Sequence, residues 1–427
     1  VFWSTNDSPA SLAITPDSNN YLNVSNYFLE REPILKQLND SIPSFEESIV
    51  LCGPGYGFIL AIIRTLPGNE ILNILITQSI IGALNCLLLA FLAYRLAGSK
   101  VTAILAGIIA SFSLTGIALC SMVLTETIFI FFILISLILF IEACKTNRWT
   151  LWIMAGLFMA VAAFVRSAGL YLGPFILFVL VLTPKTAFNF SKRKILIRAG
   201  LATLVCIGLT GTWAARNYVR HDLFTLAETG PRAVTRYLMA KVISSQTPGA
   251  STAEIGKRLF DSTSFGMSYP KLSMSERKAE DIRVIKSTFA KYPRETILTY
   301  LDLIRANVTQ DAHLHAVLLK KFQGLWLGIS ERITSHLGYK IILFHFLGLA
   351  LLWWRQKRLA AIFSGAVYLY FALLCGFTFW QGSRLFFPGQ IGWAITCAFV
   401  FSVASDELNR LRKLKLWNKL SLFTKVI

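Results

Sequence analysis

MVLTETIFIFFILISLILFIEA, residues 122–143, is the stretch that decides the class of this chain. Between Glu126 and Glu142 no residue carries a charge. A helix of about 20 apolar residues is as long as the hydrocarbon core of a bilayer is thick. Lipid offers no partner to backbone N–H and C=O groups, so a crossing segment of this kind must be helical. Working outward, comparable runs lie at 71–97, 101–118, 149–165, 168–183, 196–215, 338–354, 359–379 and 386–405. One such run can be a buried core helix; nine in one chain cannot. Composition agrees: 15% of residues are charged, against roughly 25% in a soluble chain. The expected fold class is an all-α polytopic membrane protein. The apolar stretch 56–66 is too short to span and reads as a helix lying in the interface or dipping into the membrane.

Orientation follows from the short loops. Arg95 and Lys100, Lys145 and Arg148, Lys185 with Lys192–Lys194, and Arg355 with Arg358 fall in every second loop, and the 406–427 tail is basic. Basic short loops are cytoplasmic. The organisation expected is then a first outer loop with interfacial helices (1–70), six spans (71–215), a large structured outer loop (216–337), three spans (338–405) and a basic cytoplasmic tail (406–427). Val1-Phe2-Trp3 reads as the tail of a further span ahead of the chain. In the large loop, Ile282, Ile285 and Phe289, then Ile297, Tyr300, Leu301 and Ile304, are spaced as apolar helix faces, with Pro293 starting the second helix.

A net charge of +19 fits positive-inside topology and anionic membrane lipids. Nucleic acid is excluded as a partner, because the basic residues are scattered and no base-stacking module lies among them. The seven cysteines form no Cys-x-x-Cys pair, so no zinc or redox motif is indicated. Cys52 and Cys120 fall near the outer face, and free thiols are the expected state. The five histidines have no metal-ligand spacing and read as ordinary loop residues, although His313 and His315 are close. No internal repeat is evident, which argues against a secondary transporter.

The outer edge collects the candidate chemistry. Asp17 and Tyr21 sit in the first loop, Glu126 opens the third span, Arg166 follows the fourth, Arg216 and Asn217 follow the sixth, and Arg384 precedes the ninth. Charges at a lipid boundary are costly unless paired, solvated or used. A single arginine there can simply snorkel to headgroups; three with two carboxylates on one face point to a site. The arginine fork suits phosphate. Asp17 is a candidate general base, or equally a helix N-cap after Pro16. Glu126 has its own plain reading as a carboxylate at a helix N-terminus.

In order along the chain, Asp17 with Tyr21, Gly53-Pro54-Gly55-Tyr56, Thr125-Glu126-Thr127-Ile128-Phe129, Gly156 through Arg166, Trp213-Ala214-Ala215-Arg216-Asn217-Tyr218, Tyr292-Pro293 and Gly382-Ser383-Arg384-Leu385-Phe386-Phe387-Pro388 resemble segments of the GT-C glycosyltransferases. The nearest groups are the dolichyl-phosphate-mannose protein mannosyltransferases (glycosyltransferase family 39) and the RgtA/B/C/D-like and aminoarabinose transferases. Ser18 stands where the family often has a second acid, Leu385 where it has Tyr and Ser167 where it has Pro.

The resemblance implies a GT-C helical bundle with outer-face loops. It implies an inverting transferase that takes a sugar from a polyprenyl-phosphate donor to a hydroxyl of a lipid-linked glycan, lipid or protein. Asp17 would be the base, and Arg166, Arg216 and Arg384 candidates for the donor phosphate. Glu126, Asn217, Tyr21 and Tyr56 would bind substrate, and a divalent metal ion with Glu126 is left open. The site would face outward from a bacterial plasma membrane. The rival functions are a lipid-linked glycan flippase, which needs ionisable residues at mid-membrane, and an O-antigen ligase-like enzyme, for which His313 and His315 would matter.

Overall fold

The computed structural model describes residues 13–31, 45–188, 190–261, 263–264, 269–309, 325–378 and 384–426. Every regular element among them is helical. Five helices are long and apolar enough to cross a membrane: Glu70–Ala97, Glu126–Thr146, Lys192–His221, Arg358–Cys375 and Phe387–Arg412. Four expected spans are present as shorter apolar helices, Lys100–Ser111, Trp149–Val165, Ser167–Leu182 and Lys340–Trp354. The last of these is the inner part of a longer helix, Leu325–Trp354.

The Glu126–Thr146 helix is central. It packs on Glu70–Ala97 and on Trp149–Val165, which in turn packs on Lys192–His221. Of its apolar window 67% is buried, against 17% for Glu70–Ala97. The peripheral helix shows Ile76, Ile80, Leu84, Leu87 and Phe91 to the surroundings. Lipid, not water, is the solvent that such a face suits. At the centre Trp152 is buried edge-on against Phe140, with centroids 4.8 Å apart, and Phe140 meets Phe363 at 5.8 Å. A Cβ on Gly156 would lie 2.3 Å from the Ala202 carbonyl oxygen, so only glycine lets these two helices approach so closely.

Several expectations change. The run 101–118 is not one helix: it stops at Ser111, and Ser113 caps a new helix, Leu114–Cys120, by accepting from Gly116 N. The last span does not end near 405, since the helix Gln390–Val426 carries on through the basic tail. The interfacial stretch 56–66 is the helix Gly55–Arg64, and a second short helix, Phe45–Cys52, precedes it at an angle of 118°. In the outer loop the helices Met274–Lys291 and Pro293–Thr309 exist; of their expected apolar faces Ile285, Tyr300 and Ile304 pack inward, while Ile282, Phe289, Ile297 and Leu301 are exposed. Its small core is formed by Leu238, Met239, Val242, Val284 and Leu303. His345 is not a loop residue but lies buried in its span, bonded through Nδ1 to Thr396 Oγ1 at 2.9 Å and stacked on Tyr368. His313 and His315 lie outside the described residues. All seven cysteines are free.

Candidate functional site

The first helix, Pro16–Phe28, begins with a capping box. Thr15 Oγ1 accepts from Ser18 N, and Ser18 Oγ accepts from Thr15 N. The cap is therefore Thr15, which leaves the Asp17 carboxylate free of that role. Ser18, wholly buried, also donates to the Val123 carbonyl at 2.8 Å, and Val123 N donates to the Ala13 carbonyl at 2.9 Å. These bonds staple the first helix to the turn that launches the Glu126 helix. Asp17, one residue before Ser18, stays half-exposed beside that turn.

Four of the predicted residues meet there. Arg384 spans two carboxylates: Nε to Glu126 Oε1 at 2.7 Å and Nη2 to Asp17 Oδ2 at 2.9 Å. Arg166 reaches the same Glu126 oxygen at 2.6 Å and donates to Thr125 Oγ1 at 3.1 Å. The Glu126 side chain is 0% exposed. A carboxylate so placed is tolerable only because two guanidiniums compensate it. Glu126 thus holds Arg166 and Arg384 side by side, while Asp17 marks the open edge.

The Gly-Pro-Gly-Tyr turn positions Arg166. Gly53 has a left-handed φ of +79°. A Cβ on Gly55 would stand 2.5 Å from the Phe164 carbonyl carbon, so the turn lies directly on the helix end that carries Arg166. Tyr56 is buried under the site rather than lining it. Its hydroxyl donates to Gln78 Oε1 at 2.7 Å, and Gln78 Nε2 donates to the Met122 carbonyl at 2.6 Å. Tyr21 packs edge-on against Tyr56 at 5.0 Å. Burial, then Cys52 and the carboxylates of Glu126 and Asp17, push its phenol above the usual range, so it stays a neutral hydroxyl.

Arg216 and Asn217 belong to a second cluster. Arg216 pairs with Glu46 at 2.6 Å, Arg220 with Glu46 at 2.8 Å, and His221 Nε2 lies 3.3 Å from the same carboxylate. Asn217, fully buried, accepts from Arg216 and donates to the Thr225 carbonyl at 2.8 Å. It fastens the helix end to the start of the outer loop. Glu46 was not among the residues that sequence reasoning selected; it is one of several acids in the first loop, and nothing local marks its partners.

A cavity of about 430 Å³ begins at Thr127, the residue after Glu126, with Cys120, Gly116 and Phe387 also in its walls; none of the four charged residues lines it. It continues among apolar residues to Leu134, eight residues or about 12 Å along the helix from Glu126. Among the described residues no group of three or more His, Cys, Asp or Glu gathers. The place between Asp17 and Glu126 is taken by the Arg384 guanidinium.

Residues 52–213 match the family model of dolichyl-phosphate-mannose-protein mannosyltransferases. That stretch holds Tyr56, Glu126 and Arg166 but neither Asp17 nor Arg384. Among solved structures, the oligosaccharyltransferase of Archaeoglobus fulgidus, tethered by a disulfide to an acceptor peptide with the NVT sequon, is similar. Its TM-score is 0.52 at 16% identity, with 94% of this chain and 46% of that chain covered. The archaeal oligosaccharyltransferase AglB of the same organism, in complex with an inhibitory peptide and a dolichol-phosphate, gives 0.49 at 13% identity over 94% and 47%. This chain spans about half the length of either. No curated protein matches it. The likeness to the first of these structures is one of fold, and the family match is one of sequence pattern. The chain is thus a multi-pass helical membrane protein whose fold is similar to that of the Archaeoglobus fulgidus oligosaccharyltransferase and which carries, over residues 52–213, the pattern of the dolichyl-phosphate-mannose-protein mannosyltransferases.

Proposed function

We propose that the chain is a glycosyltransferase that moves a sugar from a polyprenyl-phosphate donor to a hydroxyl of a lipid-linked glycan, a lipid or a protein. The reaction is an inverting displacement at the outer face of a bacterial plasma membrane. The observation that carries this reading is the joining of Asp17, Glu126, Arg166 and Arg384 beside an apolar cavity. The cavity suits a prenyl chain, and the two guanidiniums suit its phosphate.

In the step proposed, the acceptor oxygen forms a bond to the anomeric carbon while the bond from that carbon to the phosphate oxygen breaks. The electron pair leaves with the phosphate, and the hydroxyl proton passes to Asp17. The phosphate gains one negative charge as Asp17 loses one. Arg384, placed against Asp17, is where a guanidinium can follow that charge from base to leaving group. Glu126 is a positioning residue in this scheme, because it is wholly buried and acts by aligning the two arginines.

The test uses purified protein with polyprenyl-phosphate sugars and mass spectrometry of the products. Asp17→Asn should melt like the parent and lose transfer by a factor of about 10²–10⁴. Undiminished transfer in a folded Asp17→Asn would remove the base and, with it, this mechanism. In cells lacking the gene the donor should accumulate; glycan-loaded lipid stranded on the inner leaflet would indicate translocation instead.

A further inference from the structure

The end of the bundle away from Asp17 has a polar cavity of its own, of about 260 Å³, with Arg95, Lys145, Phe188, Gln356 and Lys357 in its walls. One helix joins the two sites. Glu126 opens Glu126–Thr146 and Lys145 lies at its far end, about 28 Å away at 1.5 Å per residue. That is close to the hydrocarbon thickness of roughly 30 Å, so this cavity sits at the other lipid–water boundary.

Its charges do not balance. Glu142 grips Arg95 with both oxygens, through Nε and Nη2, and the pair is neutral. The Lys145 ammonium donates to the Arg95 backbone carbonyl, an uncharged acceptor. Lys357 reaches across from the turn after Leu325–Trp354, its Nζ 3.5 Å from where a Cβ on Gly98 would stand. Among the described residues Lys357 Nζ has no hydrogen-bond or ion-pair partner. No carboxylate lines the cavity. The helix termini Thr146 and Ala97 nearby offer only partial negative charge, about half a unit each. Two ammonium groups therefore face one cavity without a full counter-charge, where the headgroups of a leaflet pass.

We propose that Lys145 and Lys357 bind the headgroup phosphate of an anionic phospholipid in the leaflet opposite the Asp17 site. A phosphate diester supplies the missing negative charge, and the lysine stems with Phe188 give its glycerol an apolar wall. A zwitterionic choline headgroup brings a third cation to the same place and is disfavoured. Inorganic phosphate shares the charge but has no tail to hold it at the boundary.

The experiment is native mass spectrometry of the full chain in detergent with equal amounts of phosphatidylglycerol and phosphatidylcholine, repeated with millimolar inorganic phosphate and no lipid. The parent should retain one phosphatidylglycerol in preference to phosphatidylcholine. Lys357→Gln should cut that retention about fivefold, the worth of one ammonium near an anionic headgroup. Its melting should not change, since the Lys357 side chain holds no hydrogen-bond or ion-pair partner among the described residues, and Lys357→Arg should keep the preference. Equal retention of the two lipids overturns the site, as does unchanged retention in Lys357→Gln. Phosphate binding without lipid preference also overturns it, by making the ligand a soluble anion.

Discussion

Consider Arg384→Gln. Glu126 is fully buried and its Oε1 is shared by Arg384 at 2.7 Å and Arg166 at 2.6 Å. Breaking a buried pair by removing one partner costs about 3–5 kcal/mol. Here a second guanidinium remains on the same oxygen, so roughly half of that, about 2 kcal/mol, is the expected loss at Glu126. The Asp17 contact adds little, because Asp17 is 51% exposed and exposed pairs are worth at most about 1 kcal/mol. The total is about 2–3 kcal/mol. Glu126→Gln alone should cost a similar amount by removing the buried charge that Arg166 and Arg384 share. The double variant should cost clearly less than the sum, with a coupling of about 1–3 kcal/mol. The assay is denaturant-induced unfolding of the four proteins in one detergent, with transfer activity measured in parallel. Costs that add to within about 0.5 kcal/mol would refute the argument, for they would mean that Arg384 and Glu126 do not depend on each other.

Other outcomes follow from the same geometry. Gly55→Ala places a Cβ 2.5 Å from backbone at Phe164; overpacking of this kind costs about 1–3 kcal/mol, and it should also weaken transfer by displacing Arg166, read as a lower Tm with a lower kcat/KM. Ser18→Ala removes the cap and the bond to the Val123 carbonyl, so thermal melting should show a loss of about 1–2 kcal/mol. Tyr56→Phe leaves the buried Gln78 oxygen without its donor and should cost about 1–3 kcal/mol of unfolding free energy. In the outer loop, the two-pronged Arg283 contact, opposed by burial and aided by Ser264, holds Glu280 at about 2, below its ordinary 4.5. A depressed carboxylate stabilises the fold fully above its unfolded value and loses that contribution as pH falls through the folded one. The Tm advantage of the parent over Glu280→Gln should therefore be constant above pH 4.5 and shrink toward pH 2.

The long spans were legible because hydropathy is a local property: Glu126–Thr146 needs no knowledge of its neighbours to be read as helix. The break inside 101–118 was not, since Ser113 is one polar residue in an apolar window and its capping bond to Gly116 disappears in an average. The exposed outer-loop ridge failed for another reason. Apolar periodicity shows that a face exists, while the third helix that buries Val284 and Leu303 instead comes from residues 238–242. At the site, Asp17, Glu126, Arg166 and Arg384 were found by topology, which puts chain ends of alternating helices on one side. The same reasoning also gathered Arg216 and Asn217, which the fold commits to Glu46 and Thr225. Topology ranks residues by height in the membrane and says nothing of azimuth around the bundle. Whether Asp17 was the cap of its helix rested on a neighbour, Thr15, whose own capping bond leaves no mark in the sequence.

Arg384 lies 367 residues after Asp17 and 258 after Glu126. At about 5–20 residues per second of synthesis, roughly 13–52 seconds separate the emergence of Glu126 from that of its second guanidinium. During that interval the nascent chain carries a carboxylate at the membrane edge with Arg166 alone to steady it. The four-residue cluster is therefore completed only when Arg384 leaves the ribosome. A chain halted before Arg384 can still dock its early helices but lacks the second guanidinium on Glu126.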